Sequence, residues 1–333
     1  MIPPIVRRGL LLAPLLWLAG CDTVVLNPSG DIAAQQAHLV VVSTLLMLLI
    51  IVPVMFLICL FAWRYRKSNT SAEYKPDWDH STKLELLIWG APLLIIIVLG
   101  LITWIYTHLL DPYRPLSRID EHRPIAVGVK PLEVQVVAMD WKWMFIYPEQ
   151  GIATVNELVT PIDVPVRFHM TSTSVMNAFY IPALAGMVYT MPSMETQLNA
   201  VMNKVGVYDG FSANYSGAGF SDMRFKYHGV SQGDFDAWVA KTKASSSALT
   251  RAEFTALDKP TIKHPIMHFG TVDQDLYSRI LNRCVADGTT CMNVQMHQDA
   301  NRMKAAVATQ KLPKDEVCEP TTVAATAQPT RKE

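Results

Sequence analysis

The sequence predicts a membrane-spanning helical hairpin followed by an all-β sandwich, with a short helical extension at its C-terminal side. Three observations carry this expectation. Leu39 to Ala62 and Leu86 to Thr107 contain no charged residue. From about Pro124 the chain changes to short β-branched and aromatic runs separated by Pro, Gly, Asn and Asp, the punctuation of strands. After Gly229 the apolar spacing turns helical. The 333 residues leave room for more than one domain. Lys plus Arg and Asp plus Glu number 29 each, so there is no basic field to hold nucleic acid.

The N-terminal stretch 1–20 reads as a secretory signal: Arg7 and Arg8 precede a short apolar core. That core is too short to cross a bilayer. It ends in Leu18-Ala19-Gly20-Cys21, which resembles a bacterial lipobox. The expectation is that Cys21 is acylated and begins the mature chain. Asp22 resembles an inner-membrane retention signal.

Residues 21–110 then form the anchored hairpin, with spans at about 39–62 and 86–107. The first run of apolar residues reaches roughly 36 Å as a helix, enough to cross a bilayer with some tilt. Pro53 bends it by removing one helical hydrogen bond. Trp63, Tyr65, Trp104 and Tyr106 suit the two membrane interfaces. Arg64, Arg66, Lys67, Lys75 and Lys83 lie between the spans, whereas Cys21 to His38 has no Lys or Arg. The connecting loop is therefore expected in the cytoplasm and both mature termini outside. His38 and His108, at span ends, are assigned no role.

The sandwich is expected over 124–230. Leu132–Val137, Trp141–Tyr147, Val164–Met170, Glu195–Met202 and Met223–Tyr227 read as strands. In the extension, 231–303, helices are expected at Asp234–Lys243, after the capping box Thr250-Arg251-Ala252-Glu253, and at Asp273–Val285. From about Lys304 to 333 the composition is that of a disordered tail. Cys284, Cys291, Met292, Met296, His297 and Met303 lie close in sequence. Soft ligands of this kind suit Cu(I), but the spacing is not compact, and the preferred reading is a disulfide between Cys284 and Cys291 in an oxidising compartment, or no role. That leaves Cys318 unpaired, and Cys59, in mid-span, is a small apolar residue.

Asp140-Trp141-Lys142-Trp143-Met144-Phe145-Ile146-Tyr147-Pro148-Glu149-Gln150-Gly151, Val175-Met176-Asn177-Ala178-Phe179-Tyr180-Ile181-Pro182 and the loop Gly210 to Met223 together resemble subunit 2 of the haem–copper terminal oxidases. They are closer to the bo-type ubiquinol oxidases than to the cytochrome c oxidases. The resemblance implies a cupredoxin-like sandwich. In cytochrome c oxidases that domain holds two copper ions through two histidines, two bridging cysteines, a methionine and a backbone carbonyl. The corresponding positions here are Asn177 and Phe220 for the histidines, Ser212 and Ser216 for the cysteines, Asn214 for the carbonyl and Met223 for the methionine. Only Met223 keeps the ligand type, so no metal is expected in this chain. Haem and copper are expected in subunit 1, and Trp141 is read as a packing residue.

The function implied is that of a subunit without its own redox centre in a proton-pumping complex. That complex would oxidise ubiquinol and reduce O₂ to water in the inner membrane. Its partners would be subunit 1, further oxidase subunits, membrane lipid and, at the level of the complex, ubiquinol. The alternative is a membrane lipoprotein with an assembly or partner-binding role, against which two spans beside a lipid anchor speak. Glu85 carries two readings. It is the last residue of the capping box Thr82-Lys83-Leu84-Glu85, and by resemblance it is where protons pass from the cytoplasm into subunit 1.

Overall fold

The computed structural model describes residues 23–73, 77–126 and 128–309. The signal, Cys21, Lys75, Cys318 and the tail beyond Thr309 lie outside the described residues.

Two helices are long and apolar enough to cross a membrane. Helix α1 spans Asp31–Arg64 and α2 spans Thr82–Leu109, with Pro53 and Pro92 inside them. Helix α1 begins eight residues before the expected span, and the reason is packing rather than hydropathy. Ile32, Ala33 and Ala37 are buried, Ile32 within the main core, and Ala33 N–H donates to Leu184 O at 3.2 Å. Gly30 sits at the contact. A Cβ there would lie 2.7 Å from both Leu184 O and Val201 O, so only glycine permits the approach. Most of the remaining apolar surface of both helices is exposed, as a lipid or protein environment requires.

The β domain is a sandwich of two sheets. The strands are β1 Leu132–Met139, β2 Lys142–Tyr147, β3 Ile152–Val155, β4 Glu157–Pro161, β5 Pro165–Ser172, β6 Asn177–Tyr180, β7 Val188–Thr190, β8 Thr196–Val201, β9 Gly206–Ser212 and β10 Arg224–Val230. All five expected strands are present. Strands β3, β4, β6, β7 and β9 are additional; they are short or interrupted by Gly and Asp, which hides their alternation. One sheet contains β3-β2-β1-β5-β8 in that order, and the other runs β4-β10-β9-β6-β7. Pairs β1/β5 and β4/β10 are parallel, and the others are antiparallel. Val136, Trp143, Phe145, Phe168, Phe179, Phe225 and Tyr227 fill the space between the sheets. Tyr147 ties the sheets together: its hydroxyl donates to Val159 O at 2.9 Å and accepts from Val159 N–H at 3.0 Å. Both groups belong to the edge strand β4, so the tyrosine closes that edge. Complete burial pushes its phenol pKa upward.

The extension is helical as expected, but it also contributes strands. Helix α3 spans Gln232–Lys243, with Ser231 Oγ accepting from Asp234 N–H. Strand β11 spans Ala248–Leu249, and α4 spans Arg251–Leu257 with Thr250 accepting from Glu253 N–H, as the capping box requires. Strands β12, Met267–Phe269, and β13, Thr271–Val272, follow. Strand β12 pairs with β3 and widens the first sheet to six strands. Helix α5 spans only Leu276–Leu281, shorter than expected, because Asn282 and Arg283 leave the helix and Arg283 has φ 54°. The extension covers the outer face of β1, β2 and β3: Val137, Met139, Met144 and Ile146 pack with Leu249, Phe254, Phe269 and Leu276. This is why β2 is buried at every position rather than alternately.

A second compact unit starts at Thr290 and contains α6, Met292–Thr309. Helix therefore continues past Lys304, where the expected tail begins; Lys304 to Ala308 are mostly good helix formers.

Candidate functional site

The loop between β9 and β10 brings together the positions where the resemblance locates copper ligands. Asn177 opens β6 and Ser212 closes β9, and the two strands are hydrogen-bonded neighbours. Ser212 is 3 % exposed and Asn177 1 %. The Ser212 hydroxyl lies 3.2 Å from Asn177 Oδ1 and 3.3 Å from Asn214 O, with one hydrogen to give, and it accepts from Ala178 N–H at 3.4 Å. Asn177 Nδ2 donates to Val175 O, and Asn214 Nδ2 donates to Met176 O. Met223 is fully buried, and its carbonyl accepts from Ser212 N–H.

Ser216 and Phe220 are differently placed. Ser216 Oγ is buried with no hydrogen-bond partner among the described residues, while Ser216 O accepts from Trp141 Nε1 at 3.1 Å. Phe220 lies edge-to-face with Tyr215, ring centroids 5.6 Å apart. Trp141 has φ 65° and its ring lies under the loop. A Cβ on Gly219 would come within 2.4 Å of that ring, so the loop can rest on Trp141 only because residue 219 is glycine. Trp141 thus packs beneath the loop.

The donors present do not fit a dinuclear copper centre. Such a centre needs thiolates to bridge two ions and imidazoles to complete them. Here the bridging positions carry hydroxyls, which are hard donors, and one of these is already engaged with Asn177, Asn214 and Ala178. The histidine positions carry an amide and a phenyl ring.

Glu85 stands apart from this loop, near the start of α2. The capping box expected at Thr82 does not form: the N-cap is Ser81, without a side-chain cap bond. The helix starts one residue earlier than the box needs, so Glu85 falls beyond its third position. Its carboxylate instead lies 2.7 Å from His80 Nδ1, half exposed.

Sequence reading missed Lys142. It lies among aromatics in the expected strand Trp141–Tyr147, and it is fully buried. Its Nζ donates to Lys259 O at 2.8 Å and Thr261 Oγ1 at 2.7 Å, clamping the extension onto the sheet. Burial pushes its pKa below the ordinary lysine value. The near-continuous apolarity of Trp141–Tyr147 was the available signal that both faces are covered.

The fold and the degenerate loop define a class: the exported domain of an oxidase subunit 2, with the copper positions altered. The profile described as "Cytochrome C oxidase subunit II, periplasmic domain" matches residues 149–230. That described as "COX Aromatic Rich Motif" matches residues 243–288, the segment that covers β1–β3. A cytochrome bo(3) ubiquinol oxidase subunit 2 of Pseudomonas aeruginosa is 49 % identical over 83 % of this chain and 81 % of its own. A ubiquinol oxidase subunit 2 of Acetobacter aceti is 45 % identical over 90 % and 96 %. A quinol oxidase subunit 2 of Bacillus cereus is 38 % identical over 75 % and 84 %. A crystal structure of the periplasmic domain of subunit II of a Bradyrhizobium japonicum cytochrome oxidase is 21 % identical, covering 35 % of this chain and 96 % of that one, with a TM-score of 0.33. The chain belongs to the ubiquinol oxidase subunit 2 family.

Proposed function

We propose that the chain is subunit 2 of a ubiquinol oxidase, a haem–copper complex that oxidises ubiquinol, reduces O₂ to water and pumps protons across the bacterial inner membrane. The observation that carries this reading is the loop at Ser212. At the positions where the resemblance places copper ligands, it closes through hydrogen bonds of the Ser212 hydroxyl to Asn177 and Asn214. A water-soluble electron donor needs an exposed metal at which to deliver single electrons; a lipid-soluble quinol delivers them within the membrane. Haems, copper and the quinol site then belong to subunit 1, and this chain carries none. Its contribution is structural, with the sandwich and the two helices packing against subunit 1.

The reading includes four finer points. Cys21 carries lipid. The loop between α1 and α2 faces the cytoplasm, and the sandwich faces the periplasm. Glu85 collects protons for subunit 1, which its half-exposed position beside His80 supports. Cys284 and Cys291 form one disulfide, which is supported by both being disulfide-bonded; this withdraws both sulfurs from any soft copper set with the methionines of α6.

Co-purification combined with metal analysis tests the function. Tagged chain solubilised in mild detergent should bring down a multi-haem, quinol-oxidising complex. The chain separated from it should contain no stoichiometric copper and no thiolate-to-copper absorption. Two coppers per separated chain, or a chain that purifies without haem, would overturn the reading.

A further inference from the structure

We infer that His169 is a pH-sensitive latch: charged, it holds Glu195 in the loop between β7 and β8; neutral, it releases Glu195 to the hydroxyl of Tyr277 on α5. The inference rests on side-chain geometry and does not depend on the oxidase reading.

His169 stands in a polar row on the outer face of the first sheet. Leu132, Val134, Val166 and Phe168 belong to the main core, so the residues between and after them in β1 and β5 point the other way. The register sets Glu133 opposite Arg167 and Gln135 opposite His169. Both ring nitrogens of His169 meet carboxylates. Nε2 lies 2.9 Å from Glu133 Oε2, and Nδ1 lies 2.9 Å from Glu195 Oε1. An ionised carboxylate only accepts, so each nitrogen must carry a hydrogen, and only the imidazolium carries two. The structure therefore shows the latch in its charged form.

Loss of one ring proton turns a nitrogen lone pair toward an anion. The two carboxylates are not held equally against this. Glu133 is fixed in a strand and has a second partner, Arg167 Nη1 at 3.2 Å, while Arg167 Nε donates to Asn199 Oδ1 at 3.3 Å. Glu195 sits in a loop, and His169 is its only ion-pair partner among the described residues. Beside it stands a donor not in use. Tyr277 is 8 % exposed, and its hydroxyl has no hydrogen-bond partner among the described residues. Burial, and then the charge of Glu195, hold this phenol above its ordinary pKa, so it keeps its hydrogen. Glu195 is thus within electrostatic reach of the phenol without completing a hydrogen bond to it. A buried donor next to a carboxylate that loses its own partner gives Glu195 two alternative seats.

The other groups facing the ring do not titrate with it. Arg167 stays charged. Lys130 acts on Glu133 from a distance and is itself paired with Glu149. Gln135 and Gln197, opposite His169 on β1 and β8, are neutral. A cavity of about 410 Å³, lined by His169, Glu195 and Tyr277 among others, gives the ring access to solvent protons and the carboxylate room to turn. Histidine ordinarily changes charge between about pH 5 and pH 8. The latch is therefore closed on the acid side and opens as pH rises.

The test is hydrogen exchange read by mass spectrometry on the full chain with the subunits that accompany it. It is run at about pH 5.5 and about pH 8, with each rate divided by the intrinsic rate at that pH. At the higher pH the peptide containing residues 191–195 should lose protection several-fold, and the peptide bearing α5 should gain it. His169→Gln keeps one donor and one acceptor at every pH, so it should show the high-pH pattern at both. Tyr277→Phe should leave the loop's loss in place and abolish the gain in α5. Equal protection of the wild type at the two pH values would overturn the inference. So would a response that persists in His169→Gln, which would assign it to His228 and His268 beside Glu157. A gain in α5 retained by Tyr277→Phe would refute the second seat. Should His169→Gln fail to fold, the wild type and Tyr277→Phe decide the outcome.

Discussion

Two serines stand where the resemblance places bridging thiolates, and their surroundings predict opposite consequences of removing them. Ser212 Oγ faces two acceptors and one donor: Asn177 Oδ1 at 3.2 Å, Asn214 O at 3.3 Å and Ala178 N–H at 3.4 Å. Ser212→Ala strips these groups of a partner in a site that is 3 % exposed. Leaving buried polar groups unpaired costs about 1–3 kcal/mol. At roughly 2–4 °C per kcal/mol for a domain of this size, the melting temperature should fall by about 2–12 °C. Ser216 Oγ is buried and has no hydrogen-bond partner among the described residues. Burying a lone hydroxyl costs about 1–3 kcal/mol, so Ser216→Ala removes a penalty and leaves only a small void. Its melting temperature should stay level or rise by about 1–4 °C. Trp141 reports on both, since its indole donates to Ser216 O across the loop. Near-ultraviolet circular dichroism during thermal unfolding is therefore a suitable assay. The reasoning fails if Ser216→Ala destabilises as much as Ser212→Ala, or if Ser212→Ala is neutral. Either result would mean that the loop is closed by something other than the Ser212 hydroxyl.

Three further outcomes are expected. Lys142 has a depressed pKa in the folded state relative to its ordinary 10.5; the unfolded chain therefore binds more protons between the two values, and stability should rise with pH across that window. Lys142→Met should flatten this rise and lower the melting temperature, read by thermal unfolding between about pH 7 and pH 10. Mass spectrometry of the mature chain should find it beginning at Cys21 with a diacylglycerol thioether, and Cys21→Ala should lose the lipid but resist carbonate extraction; release of that variant would refute the two spans. Glu85→Gln and Glu85→Ala should both slow turnover of the assembled complex, by about tenfold or more if proton uptake passes through this carboxylate. Because its only pairing among the described residues is an exposed one, worth about 0–1 kcal/mol, neither change should reduce the yield of folded complex, and wild-type turnover in both would remove Glu85 from the pathway.

The legible parts of the fold were those whose signal is continuous in sequence. Two charge-free runs gave the hairpin, and the β-branched and aromatic stretches gave the five strands that carry most of the core. At Thr250 the expected hydroxyl cap also formed, accepting from Glu253 N–H, while Thr250 N–H turns to Ala248 O instead of the Glu253 carboxylate. What stayed hidden depends on partners distant in sequence. Helix α1 extends back to Asp31 because Ile32 and Ala33 dock on Leu184 and its neighbours, which no hydropathy window reports. The box at Thr82 failed because the helix begins one residue earlier in register, with Ser81 as its cap. A four-residue motif cannot choose between adjacent starting points. Strand β9, with Gly206 and Gly210, was illegible for a related reason: a Cβ at residue 210 would lie within 2.1–2.5 Å of the Phe225 ring, so packing across the ladder dictates a residue that weakens the strand pattern.

The altered copper loop shows the same logic at the site. The ligand positions could be read in sequence through the resemblance, because chemistry there depends on residue type: a hydroxyl is not a thiolate wherever it stands. What replaces the metal could not be read, since it depends on direction. Two metal ions in such a loop tie its strands together by coordination. Here Ser212 at the end of β9 reaches Asn177 at the start of β6, and the two side chains span the junction that a bridging thiolate and an imidazole would share. Asn177 in turn holds Val175 O, and Asn214 holds Met176 O, so the loop before β6 and the loop after β9 are fastened to each other through amides. Trp141 supports the loop from below through Ser216 O and contact with Gly219. Ser212 and Asn177 therefore close this junction by hydrogen bonding, so each strand end finds a partner on the other.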